Sequence, residues 1–259
     1  MTFHGWLPLA LCLSPTATTF DPPDGSRHYR VDLVSTQAVD LSAFGQGQQT
    51  QTFNRVGFFS VLVSDSGGAR TVTIVLDSIQ ADSSFGLPRE VLQSANHATW
   101  RGAVLGSGRA GNLKLTEENP VAAQMSGVAR QLVPPVPPGT RAGAAWSDTT
   151  ESTDEVPNGS LASRTVSNLV AGAENYQGIK ALKVTAASSS SFTGSQDTPQ
   201  GSAAIEGTGT SSEIWYVGAE GGLLGGEYRG TQSFTIAGAF APEPIPVTVT
   251  TEATATLLK

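Results

Sequence analysis

Ile245-Pro246-Val247-Thr248-Val249-Thr250-Thr251-Glu252-Ala253-Thr254-Ala255-Thr256-Leu257 alternates an apolar or small residue with threonine almost without a break. Successive side chains of a strand point to opposite faces, so this stretch has one dry face and one wet face. Pro246 cannot donate to a ladder, which places it near the start of the strand or on an edge. Half-buried alternation of this kind favours antiparallel pairing over the solid apolar runs of a parallel sheet.

Working back along the chain, the same signal recurs. Tyr29, Val31 and Leu33 share one face of a strand. The apolar run 58–63 and the run 71–76 flank Ser64-Asp65-Ser66-Gly67-Gly68 and predict a hairpin. Residues 100–105 and 112–116 flank a second glycine-rich turn, and 179–186, 214–217 and 233–240 add further strands, with Gly238 marking a bulge or close approach. The expectation is an all-β, mainly antiparallel fold: a strongly curled sheet or half-barrel of about ten strands, too many for a flat open sheet. One or two short helices interrupt it. Residues 88–98 can form the first, and 119–132 the better supported one. There Asn119 serves as N-cap, Pro120 takes the first helical position, and Val121, Met125, Val128 and Leu132 recur at helical spacing. The helix is expected to stop at Pro134-Pro135-Val136-Pro137-Pro138-Gly139, a stiff crossing to Trp146. The acidic stretch 148–155 and the serine-rich stretch 188–201 read as exposed loops. Residues 28–259 read as a single β domain behind an N-terminal segment, 1–27.

Composition narrows the function classes. The 259 residues carry 15 Lys+Arg against 22 Asp+Glu, a net charge of −7, and only 14% of residues are charged. Low charge with 39% hydrophobic residues excludes a solvated disordered chain. Scattered single cations also lack the basic face that binding to phosphates requires, so nucleic acid is not an expected partner.

Trp6, Leu7, Leu9, Leu11 and Cys12 form an apolar N-terminal patch about as long as the apolar core of a signal peptide, and too short for a comfortable membrane span. It precedes the first cation, Arg27, so the basic head of a signal peptide is missing; a truncated or retained leader and a misassigned start both explain this. Leu9-Ala10-Leu11-Cys12 looks like a lipobox, with Cys12 as a lipidation or membrane-contact candidate and an ordinary buried thiol as the alternative. Cys12 is the only cysteine, so no intramolecular disulfide forms. Export to the periplasm or membrane-associated envelope is the preferred reading.

Chemical motifs are sparse. Gly106-Ser107-Gly108-Arg109-Ala110-Gly111 matches a dinucleotide fingerprint, but a strand-like segment follows where a helix is required, so a hairpin loop is expected. His4, His28 and His97 lack partners at metal-ligand spacing. Asp148, Glu151, Asp154 and Glu155 lack the spacing of a calcium loop, and Asn158-Gly159-Ser160 reads as a turn before it reads as a glycosylation site. No catalytic residue, metal or cofactor is assigned. The aromatics Trp100, Trp146, Trp215 and Tyr216 are candidates for a partner or ligand surface, with core packing as the alternative.

Leu132-Val133-Pro134-Pro135 to Gly139, Gly143, Trp146-Ser147-Asp148-Thr149 and Gly226-Glu227-Tyr228-Arg229-Gly230, with the long terminal strand, resemble uncharacterised bacterial envelope proteins of the DUF6263 type. These are similar in outline to the LolA/LppX-like lipid-carrier fold, and the resemblance implies a half-barrel with helices over its mouth. It supplies no catalytic residues. Two functions follow as expectations. The first is a non-catalytic accessory subunit docked on a membrane-protein assembly of the envelope, for example capping a respiratory or photosynthetic reaction-centre complex, with membrane contact through the N-terminus. The second is a carrier of a lipid or other hydrophobic ligand. An enzyme has least support and would need His97 within reach of a serine and a carboxylate in a cleft.

Overall fold

The computed structural model describes residues 25–66, 69–82, 88–156, 159–198, 201–238, 241 and 243–258. Among them eleven strands form one antiparallel sheet that curls into a half-barrel. They are β1 (Gly25–Asp40), β2 (Gln48–Ser66), β3 (Ala69–Ala81), β4 (Thr99–Val104), β5 (Ala110–Leu115), β6 (Ala145–Val156), β7 (Gly159–Tyr176), β8 (Ile179–Thr198), β9 (Gly201–Gly218), β10 (Leu223–Gly238) and β11 (Ile245–Leu257). The order β5-β4-β3-β2-β1-β11-β10-β9-β8-β7-β6 is two meanders joined where β1 pairs with β11. The alternating stretch that opens the sequence analysis is therefore a central strand. Pro246 sits at its second residue, beyond the last β1 pairing at Val39 and Val247, where no β1 partner asks for its missing donor.

Three short helices lie between strands: α1 (Arg89–Gln93) after β3, and α2 (Pro120–Gln124) and α3 (Ser126–Gln131) after β5. Asn119 caps α2, its Oδ1 accepting from the amides of Val121 and Ala122 at 3.0 Å. The expected single helix over 119–132 is divided at Met125. Its amide donates to Ala122 O, three residues back, which tightens the last turn and redirects the axis. Met125 itself is fully buried.

The core occupies one half of the half-barrel. Alternate residues of five strands (Tyr29, Val31 and Leu33; Phe59, Val61 and Val63; Val72, Ile74 and Leu76; Leu182 and Val184; Trp215 and Val217) face inward onto Val121, Met125, Val128 and Leu132 of the helical segment. Each fully buried side chain of this size contributes about 1.5–3 kcal/mol. The proline crossing is also interior: Pro134, Pro135 and Val136 are all buried.

Two expectations are corrected. Residues 188–198 and 148–155 are not loops; they continue β8 and form most of β6. Their pattern hides this because the strand faces are distinguished by hydroxyl pairing in place of apolar contrast. Ser188 Oγ donates to Ser167 Oγ at 2.8 Å, and Ser152 and Ser163 pair at 2.9 Å. No helix among the described residues is long and apolar enough to cross a membrane.

Candidate functional site

The helices fill only one half of the half-barrel, so the inner face of the other half is a trough. Antiparallel register sorts its floor into rungs that run across the sheet. The rung at the helical boundary reads Arg55, Leu33, Ala253, Tyr228, Glu213, Ala186, Leu169 and Trp146 from β2 to β6. Each further rung lies about 7 Å along the strands. The next is small and hydroxylated across its middle, with Ser35, Thr251, Gly230, Ser211, Ser188 and Ser167, and ends in Phe53 on β2 and Asp148 on β6; the rung beyond it carries Gln37, Val249, Gln232, Gly209 and Ser190. At the following rung the floor turns aromatic and apolar again, with Val247, Phe234, Gly207 and Phe192. Ile245, Ile236 and Ile205 follow. The trough thus has a polar belt beside the helices and an apolar distal end.

Three cavities open on this face. One of about 370 Å³ sits where α2 and α3 meet the belt, walled by Arg55, Gln124, Val128, Gln131 and Tyr228. One of about 390 Å³ is centred on Phe192, Gly207, Phe234 and Val247. Another of about 390 Å³ is centred on Ser152, Ser163 and Phe192, sharing Phe192 with the second. Gly207 is needed here, because a Cβ would collide with Phe234 and Phe192. Without it the two rings close on each other edge-to-face, centroids 5.8 Å apart.

The belt carries the site's electrostatics. Arg109, in the β4–β5 turn, and Asp148 of β6 form an ion pair at 2.5 Å, a charge contact without aligned hydrogen-bond geometry. It ties a turn from one meander to the edge strand of the other. Burial raises the Glu213 carboxyl above the usual carboxylate range, opposed by a hydrogen bond from Ser211 Oγ at 3.0 Å and by the Arg109 charge. Burial, then the Glu213 charge, likewise raises the Tyr228 phenol. A raised folded value means that ionising Glu213 costs the native state. The wild type is then relatively most stable below the unfolded carboxylate value and loses that advantage as pH rises through the folded one. Glu213→Gln should therefore melt higher than wild type at about pH 7 and at nearly the same temperature at about pH 4, read by circular dichroism. An equal gap at both values would show that Glu213 is not the titrating group.

The sequence-marked aromatics do not share one surface. Trp100 is fully buried, its Nε1 donating to Ser126 Oγ at 3.0 Å. Trp215 is buried with Nε1 donating to Gln131 O at 3.0 Å, which ties α3 to β9. Trp146 is partly buried against the same core. Tyr216 points to the outer face, stacked on Tyr176 with centroids 4.1 Å apart. Trp6, Leu7, Leu9, Leu11 and Cys12 lie outside the described residues, as does Asn158.

Strand alternation divides the acidic cluster. Asp148 faces inward to Arg109, while Glu151 faces outward to Arg164 at 3.3 Å; the side chains of Asp154 and Glu155 lie outside the described residues. Among the described residues no group of three or more His, Cys, Asp or Glu could hold a metal ion. The glycine-rich 106–111 segment forms the β4–β5 turn and the first two residues of β5. His97 is an exposed turn residue at positive φ.

One constellation was not legible in the sequence. On the outer face His28 Nδ1 lies 2.9 Å from Ser60 Oγ, which donates to Asp77 Oδ2 at 2.6 Å. Three adjacent strands supply these residues, so only register brings them together. In a hydrolytic triad the imidazole stands between hydroxyl and carboxylate. Here the hydroxyl stands in the middle, with its proton committed to Asp77.

No protein-family model matches the chain, and no curated protein matches it.

Proposed function

We propose that this chain is a non-catalytic binding protein of the bacterial cell envelope, carrying a hydrophobic or amphiphilic ligand in the open half of its half-barrel. The observation that carries the reading is the run of adjoining inner-face cavities, of about 370 and 390 Å³, leading from the helical boundary to Phe192 and Phe234. Volumes of this size fall within the range of small-molecule sites; the two around Phe192 are shallow, open grooves and the one at the helical boundary is the more enclosed. The resemblance to lipid carriers of curled-sheet type supports the same conclusion. The packed half supplies rigidity and the trough supplies the site.

Ser163 stands on the trough floor and is half-exposed. Ser163→Tyr places an aromatic ring in the cavity beside Phe192 at a strand position where tyrosine is favoured. The variant gives up the hydroxyl pair with Ser152, so it should stay folded with a melting point lowered by about one hydrogen bond's worth, and lose most binding of a fluorescent fatty-acid probe, about tenfold or more. Native mass spectrometry of the wild type from membrane-containing extracts should show bound lipid. A wild type that carries no lipid and takes up no probe would overturn the reading.

A second reading has its own observation. On the outer face Val170 and Ile179 are 53% and 51% exposed, the latter close in sequence to the Tyr176–Tyr216 stack. The two are separated by about six residues along the paired strands, so they make isolated apolar contacts and not one continuous patch. The second reading is docking on a membrane-protein assembly of the envelope, and co-purification of such an assembly would favour it.

A further inference from the structure

Building on the trough reading, we infer that the ligand is a long-chain carboxylate amphiphile, its head held at Arg55 and its tail laid along the floor toward Phe234 and Phe192. Among the described residues, Arg55 is the one charged side chain in the wall of the cavity at the helical boundary. It faces inward from β2, on the rung it shares with Leu33 and Tyr228. Its Nη1 donates to Gln124 Oε1 at 3.2 Å and lies 4.0 Å from Met125 Sδ, so contacts to α2 and the following residue help to place the guanidinium at the cavity wall. A planar guanidinium in this setting matches a carboxylate in a fork geometry that a lysine lacks. Gln124, Gln131 and the Tyr228 hydroxyl offer further donors around the head.

The rest of the trough fits the tail. The rung of Arg55 and the rung of Phe234 are three apart, about 20 Å along the strands, comparable with the extended length of an oleate-type chain. Between them lie the rung of Ser35, Thr251, Gly230 and Ser211 and a rung of Gln37, Val249, Gln232, Gly209 and Ser190, over which the chain would pass; at the end lie Phe192, Phe234, Val247 and Ile236. Burial lowers the Arg55 pKa, and an incoming carboxylate would favour the charged form and offset that cost.

The test uses the full delipidated chain, with oleate, oleyl alcohol and acetate as probes in displacement of a fluorescent fatty acid. Oleate should bind about tenfold or more tightly than oleyl alcohol, and acetate should displace nothing. Arg55→Gln should lose that preference, binding oleate no more tightly than it binds oleyl alcohol, and Arg55→Lys should retain part of it. Equal binding of oleate and oleyl alcohol to the wild type, or unchanged oleate binding by Arg55→Gln, overturns the assignment of a carboxylate head yet leaves the trough reading standing. Displacement by acetate alone points to an anion site without a tail and overturns the inference. Failure of both long-chain probes removes the inference and the trough reading together.

Discussion

Trp100→Ala is expected to lower the free energy of unfolding by about 3–5 kcal/mol. The indole is 0% exposed, stands on short β4, and packs tilted against Phe59 at a centroid distance of 6.4 Å. Truncation leaves a cavity between the sheet and the helical segment that neither layer can easily close. It also removes the donor to Ser126 Oγ at the start of α3. Domains are stable by about 5–15 kcal/mol, so the loss is a large fraction of the total. Trp100→Phe separates the two contributions. It keeps most of the ring and loses the hydrogen bond, itself worth about 0.5–1.5 kcal/mol, so it should fall well short of the alanine variant. Urea midpoints read by circular dichroism, with slopes compared between variants, give the numbers. An alanine variant within about half a kcal/mol of wild type, the range of ordinary surface substitutions, would mean that the helices are not packed on β4 at all.

The same residue shows what the sequence carried and what it withheld. The alternation of 245–257, the hairpin of β2 and β3, and the Asn119 cap were readable because each has a local cause: a period of two, a turn between apolar runs, and a short polar side chain ahead of a proline. The curled antiparallel sheet followed from them. Trp100 was visible as an aromatic in a strand, yet its burial depends on Ser126 and Phe59, which are distant in sequence. The serine-rich half of β8 reads as a loop because hydrophobic periodicity needs apolar contrast, and Ser188 with Ser167 is a buried pair without any. Arg55 and Glu213 went unnoticed for a related reason. A charge in a strand ordinarily marks the wet face, and here register puts both on the inner one. The run 58–63 carries apolar side chains on both faces of β2, so its composition alone does not say which face is the inner one; the pairing of Arg55 with Leu33 does.

The glycine-rich turn gives the second large expected effect. Gly108 has φ +81°, and a Cβ there would run into the backbone carbonyl of Val136. Gly108→Ala therefore meets two costs: about 1–2 kcal/mol for a left-handed conformation, and about 1–3 kcal/mol for overpacking against a neighbour that cannot swing aside. A loss of about 3–4 kcal/mol is expected. Gly106 is the internal control, with ordinary φ and nothing within 4 Å of a built Cβ. Gly106→Ala should be neutral or slightly stabilising, by about 0.4–1 kcal/mol. The contrast identifies the reason for glycine in this motif: close approach to a buried proline crossing, in place of close approach to a pyrophosphate. It also reaches the site, because Arg109 follows Gly108 and pairs with Asp148 on the opposite edge strand. Pushing Val136 away should loosen that tie, so Gly108→Ala should speed amide exchange at Val136 and along the start of β6 before the core opens. If Gly106→Ala proved as damaging as Gly108→Ala, the requirement would belong to the turn itself, and the crossing would not be what holds the two edges of the half-barrel in place.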